Sequence, residues 1–220
     1  MERLFEKELG ELRLKVLEMA AYSEKAMEGA LRSLLERDPD LAQKVIDRDT
    51  EINRLECEID ENSLQLLALA QPVAVDLRFV VGCMRMIVNL ERIGDEAVNI
   101  AERALLLSNR PALPFNQKLE ELSKVSMEML RSAITAFKDD DAEIAQRVCD
   151  MDNRADELDV AVLKDLIDFM LKETPAIERS VHTILTARSM ERIGDLATNI
   201  AESVIFIVRG VDIKHHCGRM

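Results

Sequence analysis

A twelve-residue segment occurs twice in this chain, one hundred residues apart. Residues 91–102 read ERIGDEAVNIAE and residues 191–202 read ERIGDLATNIAE, so that ten of the twelve positions are identical. The eighteen positions before each copy agree at only one. Because a protein core tolerates exchanges among apolar residues of similar size, packing alone does not account for such local identity. The repeat therefore indicates an internal duplication with a specific chemical constraint on these twelve residues.

The composition favours an all-α protein and excludes several functional classes. Hydrophobic residues make up 48% of the chain and charged residues 32%, with seven Gly, five Pro and no Trp, which is typical of helical proteins. The net charge of -13 disfavours nucleic acid, because the field of the protein repels a phosphate backbone. No apolar run approaches the ~18 residues of a membrane span, so membrane association is expected only through a partner. The four cysteines have no CxxC spacing and no secretory leader precedes them, which predicts reduced thiols in the cytoplasm.

Turn-forming residues divide the chain into two similar sets of three helices. In the first set, the first helix is expected over residues 2–36. The second is expected from an N-cap at Asp38 to about Ala70, and the third from the break at Gln71 and Pro72 to about Asn109. The second set is expected over residues 117–137, from a turn at 139–141 to about Lys172, and from a break at Thr174 and Pro175 to about Gly210. Short connections between amphipathic helices favour bundles. We therefore predict two tandem three-helix bundles, residues 1–110 and 116–210, each with its own core, a linker at 111–115 and a C-terminal tail at 211–220.

Each copy of the repeat places polar side chains on one stripe of its helix. At about 100° per residue, Glu91, Asp95 and Asn99 lie within a sector of roughly 80°, opposite the apolar positions. The stripe is therefore expected to lie outside the apolar seam of the bundle. The second copy repeats it as Glu191, Asp195 and Asn199.

The preceding helix of each half carries a matching stripe. Asp49, Asn53 and Glu56 share a sector of roughly 60°. Because consecutive antiparallel helices are neighbours in a bundle, we expect the two stripes of each half to face one another along a groove. A shift of 103 residues gives the second-half equivalents Asp152, Asp156 and Asp159.

Two interpretations of these stripes are possible, a solvated helix face and a cation site. Like charges four residues apart cost a few tenths of a kcal/mol where an opposite charge would stabilise the helix, and bound cations would remove that cost. Oxygen ligands suit Mg²⁺, Ca²⁺, Mn²⁺ or iron, and Zn²⁺ is a further candidate. Gly94 and Gly194, which cost up to about 1 kcal/mol within a helix, predict a close approach of neighbouring helices.

The two ERIGD copies, their separation and the acidic helical composition resemble the PhoU family of phosphate-transport accessory proteins. The resemblance implies a cytoplasmic regulator that couples the ATPase subunit of a phosphate ABC transporter to a phosphate-sensing histidine kinase and represses phosphate-starvation genes. A homodimer is also expected, with apolar residues of the first helix facing either the partner or the other half.

The resemblance further implies multinuclear metal clusters bound by pairs of acidic residues four positions apart. One of the four expected pairs is Asp49 with Asn53, in which an amide replaces the second carboxylate. The first-half site is therefore expected to hold metal less tightly or to hold fewer ions. The other three pairs are Glu91 with Asp95, Asp152 with Asp156, and Glu191 with Asp195.

An enzyme is the competing class. Carboxylate-bound di-iron bundles use Glu-x-x-His pairs, whereas His182 is the one histidine outside the tail, and no Ser-His-Asp set can be assembled. We therefore predict no catalytic residues and treat His182 as structural, while a carboxylate-bridged metal enzyme and a plain helical adaptor stay open as alternatives. In the tail, His215, His216 and Cys217 lack a scaffold that would hold a metal geometry.

Overall fold

The computed structural model describes residues 2–114 and 116–213, with side chains from Phe5 onward. All regular secondary structure in these ranges is helical, which confirms the all-α prediction. None of the described helices is long and apolar enough to cross a membrane. A short 3₁₀ turn covers Thr174–Ala176. The helices are α1 (Glu2–Glu36), α2 (Pro39–Asp47), α3 (Asp49–Ala70), α4 (Ala74–Ser108), α5 (Gln117–Asp139), α6 (Ala142–Lys172) and α7 (Ile177–Arg209).

Polar side chains cap the first turn of three helices. The Asp38 carboxylate accepts a hydrogen bond from the backbone N–H of Leu41 at 3.0 Å, and Pro39 opens α2. Asn116 and Asp141 accept backbone hydrogen bonds in the same way at the starts of α5 and α6. These caps satisfy N–H groups that have no partner within a helix. The N-cap predicted at Asp38 is confirmed.

The prediction of a single helix from Asp38 to Ala70 is wrong, because two helices cover these residues. α2 ends at Asp47 and α3 begins at Asp49, with Arg48 between them at φ -94° and ψ -3°. Residues 40–70 contain neither proline nor glycine, so the sequence carries none of the usual local signals of a break. Both helices pack on α1 and α4. Helical periodicity in the sequence does not predict such tertiary packing.

Each half packs three long helices around an apolar core. α1, α3 and α4 contact one another in the first half, and α5, α6 and α7 do so in the second. Val16, Ile59 and Leu90 are fully buried in the first core. Leu130 and Ile193 are fully buried in the second. Complete burial of such a side chain stabilises the fold by about 1.5–3 kcal/mol.

The two halves also share a long contact between α4 and α7. Their buried apolar residues form one continuous cluster. At one end the Arg13 guanidinium lies over the rings of Phe79 and Phe137, 4.8 and 5.2 Å from the ring centroids. It also pairs with Asp140 at 3.0 Å. The shared core adds to the two separate cores that the sequence predicts, and the stability of each half on its own stays a prediction.

Two arginines hold the connection between the halves. Arg37 has a φ of 57°, and its guanidinium donates to the carbonyl oxygens of Leu107 and Ser108 at 2.6 and 3.0 Å. These carbonyls belong to the last turn of α4, where no partner exists within the helix. Arg179 of α7 donates to the carbonyl oxygen of Pro111 at 2.9 Å. Arg37 also donates to the carbonyl oxygen of Arg110, so the segment that follows α4 is bonded to both halves.

Candidate metal centre

The second copy of the repeat lies on α7, against the acidic stripe of α6. Asp156 of α6 and Glu191 and Asp195 of α7 offer carboxylate oxygens that lie within 4.8 Å of one another. In the described part of the chain they form the one such group of three His, Cys, Asp or Glu side chains. Carboxylate oxygens converging from two helices are a donor set for a hard divalent cation.

Glu191 has the most strongly perturbed carboxyl group of this cluster. Burial and the neighbouring Asp195 carboxylate raise the pKa of Glu191 to about 7, against the effect of Arg188. The Arg188 guanidinium lies 3.6 Å from Glu191 Oε1 and 2.9 Å from Asp159 Oδ2. Crowded carboxylates disfavour one another's charge. A bound cation would therefore favour the ionised form of all three.

The other predicted second-half residues surround the cluster without joining it. Asp152 accepts a hydrogen bond from Thr198 Oγ1 at 3.1 Å, and burial raises the pKa of Asp152. Asp159 is 6% exposed and paired with Arg188. Asn199 lies one turn beyond Asp195 on α7 and is half-buried. Asp152 is still close enough to Asp195 to raise the pKa of its carboxyl group, after burial, which has the largest effect.

The first-half carboxylates face one another across α3 and α4. Burial raises the pKa of Glu91, and Asp95, Glu56 and Asp49 raise it further. Burial also raises the pKa of Glu56, where Asp95 adds to the effect. The pKa of Asp95 is raised by desolvation and then by Asp49. The predicted stripes of α3 and α4 therefore share a groove, although no three of their ligand atoms meet as closely as in the second half.

One carboxylate oxygen in this groove lacks a hydrogen-bond donor. Asn53 Nδ2 donates to Asp49 Oδ2 at 2.9 Å, whereas Asp49 Oδ1 is buried and no described residue bonds to it. Asn99 lies nearby on α4, where its Nδ2 donates to Glu96 Oε2 at 3.3 Å. A buried carboxylate oxygen without a donor is costly, and a cation would satisfy it. The residues present thus fit an oxygen-bound metal, whereas the weaker binding expected of this site stays a prediction.

Glycine at the fourth position of each copy permits close contact between helices. A Cβ atom on Gly94 would lie 2.8 Å from Ile52 Cδ1 and 3.3 Å from Asp49 Oδ1. On Gly194 it would lie 3.3 Å from Met129 Sδ. The close approach predicted for both glycines is confirmed, and at Gly94 it brings the α4 backbone directly against a candidate ligand.

Two features of the site differ from the sequence prediction. The repeated stripe does not lie wholly outside the seam, because Glu191 is only 9% exposed where α6 and α7 meet. Glu96 is 7% exposed and pairs with Arg192 at 3.2 Å, joining α4 to α7. Sequence reasoning missed this pair. A signal was present, since Glu96 occupies one of the two positions at which the copies differ, and Leu196 is its counterpart.

Histidine contributes no ligand to these groups in the described part of the chain. His182 is half-buried on α7, and its Nδ1 atom has no hydrogen-bond partner among the described residues. The tail residues His215, His216 and Cys217 lie outside the described residues.

Comparison with known proteins identifies the family. A family model described as the PhoU domain matches residues 16–104 and 119–204. A Pseudomonas putida protein named phosphate-specific transport system accessory protein PhoU homolog is 38% identical, with 96% of this chain and 83% of the relative covered. The Escherichia coli K12 phosphate-specific transport system accessory protein PhoU is 33% identical, with 96% and 88% covered.

Solved structures show the same similarity in three dimensions. The crystal structure of PhoU from Pseudomonas aeruginosa matches with a TM-score of 0.91 and 37% identity, over 94% of this chain and 100% of that one. The phosphate transport system regulatory protein PhoU from Streptococcus pneumoniae matches with a TM-score of 0.87 and 28% identity, over 94% and 98%. Both halves of the chain and both ERIGD copies fall within the matched domains, and the chain therefore belongs to the PhoU family.

Proposed function

We propose that this chain is a cytoplasmic accessory regulator of phosphate-specific transport. In this proposal it associates with the ATPase subunit of a phosphate transporter and with a phosphate-sensing histidine kinase, and it represses phosphate-starvation genes when phosphate is plentiful. The observation that carries the proposal is the match of the PhoU domain to both halves. Relatives named as transport accessory proteins align over more than nine-tenths of this chain.

Metal binding by the facing carboxylates is the second part of the proposal. Asp156, Glu191 and Asp195 would hold a cation between α6 and α7, and the close spacing of their oxygens supports this assignment. Asp49, Glu56, Glu91 and Asp95 would hold one between α3 and α4, supported by the unpartnered Asp49 Oδ1. A bound cation supplies the positive charge that allows crowded carboxylates to ionise together. With a cation bound, the carboxylates would join α6 to α7, and Arg188 links Asp159 to Glu191 at the edge of the cluster.

Deletion of the gene tests the regulatory part. A strain that lacks this protein is expected to express a phosphate-starvation reporter in high phosphate, and a plasmid copy is expected to restore repression. Normal repression in the deletion strain, without a second copy of the gene, would contradict the proposal.

A further inference from the structure

The outer face of α6 and α7 carries a run of exposed apolar side chains. Each of them is between 37% and 78% exposed, so the core does not account for them. Exposed apolar residues that are contiguous, rather than scattered, commonly mark interaction sites. Those on α6 are Val160, Leu163, Ile167 and Leu171, and those on α7 are Ile177, Val181 and Leu185.

These side chains lie on the same face as the carboxylate cluster. The helices are antiparallel, and the Asp159–Arg188 ion pair fixes their register. In this register Ile167 is level with Val181. The apolar positions of α6 follow Asp156 at spacings of three or four residues, which keeps them on one side of the helix. We call this combined surface the α6–α7 face; it is acidic at the cluster and apolar beyond Arg188.

The first half shares only part of the apolar α6–α7 face. It is apolar at five of the seven equivalent positions, whereas Asp60 and Arg85 stand at those equivalent to Leu163 and Leu185. The duplication therefore does not explain Leu163 and Leu185. Solvation favours polar residues at such positions, so an occupant that covers the second-half surface is the physical explanation of the difference.

We propose that the α6–α7 face binds an amphipathic helix of a protein partner, with an apolar ridge along the helix and lysine or arginine at the end that reaches Asp156 and Asp195 when no cation is bound there. The proposal rests on the proposed function, because it assigns a surface to the partner of a transport regulator. The residues from Val160 to Leu171 span roughly 17 Å at 1.5 Å per residue, which matches about three turns of a bound helix.

Electrostatic complementarity favours a basic helix over a second copy of the chain as the occupant of the α6–α7 face. The protein carries a net charge of -13, and the α6–α7 face ends in the two exposed carboxylates Asp156 and Asp195. Arg188, the cation between the two parts, is already paired with Asp159. A basic helix end complements this arrangement, whereas a second copy presents the same excess of negative charge.

The test compares Ile167→Glu with Leu64→Glu, its equivalent in the first half. The two side chains are similarly exposed, at 42% and 52%, so both variants are expected to fold, which circular dichroism melts check. Binding of wild type and of each full-length variant to the purified transporter ATPase subunit and to the kinase is measured by biolayer interferometry in chelator, which leaves Asp156 and Asp195 free of metal. Sedimentation of each protein alone is measured in parallel.

The expected result is that Ile167→Glu weakens binding to one partner at least tenfold while Leu64→Glu binds like wild type. Equal binding by both variants overturns the docking surface and leaves the proposed function intact. Failure of the wild type to bind either partner contradicts the proposed function itself. Conversion of a wild-type dimer to a monomer by Ile167→Glu alone identifies a second copy as the occupant and overturns the proposal.

Discussion

The carboxyl group of Glu191 makes the stability of the metal-free protein depend on pH. Asp156 and Asp159 of α6 and Asp195 of α7 face it, and Arg188 opposes them. Because the pKa rises from 4.5 to about 7 on folding, the folded state favours the protonated form. The stabilisation is full below the unfolded pKa and is lost as pH rises through about 7.

Thermal melts in chelator are therefore expected to give a higher Tm at about pH 5.5 than at about pH 8. Glu191→Gln, which imitates the protonated side chain, is expected to raise the Tm at the higher pH. The Tm of this variant should therefore change less with pH than that of the wild type. A wild-type Tm that rises with pH over this range would contradict the assignment of Glu191.

Removal of one carboxylate is expected to act in opposite directions with and without metal. In chelator, Asp195→Ala relieves repulsion with Glu191 and should hold or raise the free energy of unfolding by a few tenths of a kcal/mol. With excess Mn²⁺ or Fe²⁺ the same change deletes a ligand, so the increase in Tm that metal binding causes should shrink. Asp168→Ala, an exposed residue of α6 outside the cluster, is the control. Equal metal-induced increases in Tm for wild type and Asp195→Ala would exclude Asp195 as a ligand.

At the residue scale, helical periodicity predicted which side chains share a groove but not how they pair. Asp156, Glu191 and Asp195 come together because Glu191 and Asp195 share one face of α7 and that face lies against the stripe of α6. The pairing of Asp159 with Arg188 depends on the rotamer of a long side chain on another helix. Sequence spacing carries no information on that choice.

At the scale of the helix, the contact between α3 and α4 depends on Gly94. A methyl group there would lie 2.8 Å from Ile52 Cδ1, and Ile52 is 2% exposed and has little room to move. Overpacking of this kind costs about 1–3 kcal/mol, which exceeds the gain of up to about 1 kcal/mol from replacing glycine in a helix. Gly94→Ala is therefore expected to lower the free energy of unfolding measured in urea.

Gly10 provides the matched control. It also lies within a helix, but a Cβ atom added to it would meet nothing within 4 Å. Gly10→Ala is therefore expected to stabilise the protein by up to about 1 kcal/mol. Stabilisation by both substitutions would show that α3 and α4 can move apart without cost.

The ends of the helices were predictable wherever the sequence contains a cap or a proline. Asp38 and Pro39 are an example, since their roles follow from hydrogen bonding and from a fixed φ angle. The break at Arg48 was not predictable, because no proline or glycine marks it, and α2 and α3 both pack on α1 and α4. Local signals therefore account for the termini of the helices but not for this interruption.

At the scale of the whole molecule, cleavage of the linker is expected to leave the halves together. Pro111, Ala112 and Pro114 are exposed, so elastase should cut first after Ala112. The α4–α7 contact and the stacking of Arg13 on Phe79 and Phe137 do not depend on the linker. The nicked protein should therefore elute as one species in gel filtration and show two bands in a denaturing gel. A first cut within residues 73–105, or separation of the fragments, would contradict this arrangement.

The Glu96–Arg192 ion pair makes the two halves of the molecule different from each other. A chain built from two equal halves would have two equivalent ends, and a partner could not distinguish them. Arg192 is bound to the opposite half, whereas Arg92, its counterpart, forms no ion pair within the described part of the chain. Because leucine replaces glutamate at position 196, this bond between the halves runs only from the glutamate of α4 to the arginine of α7.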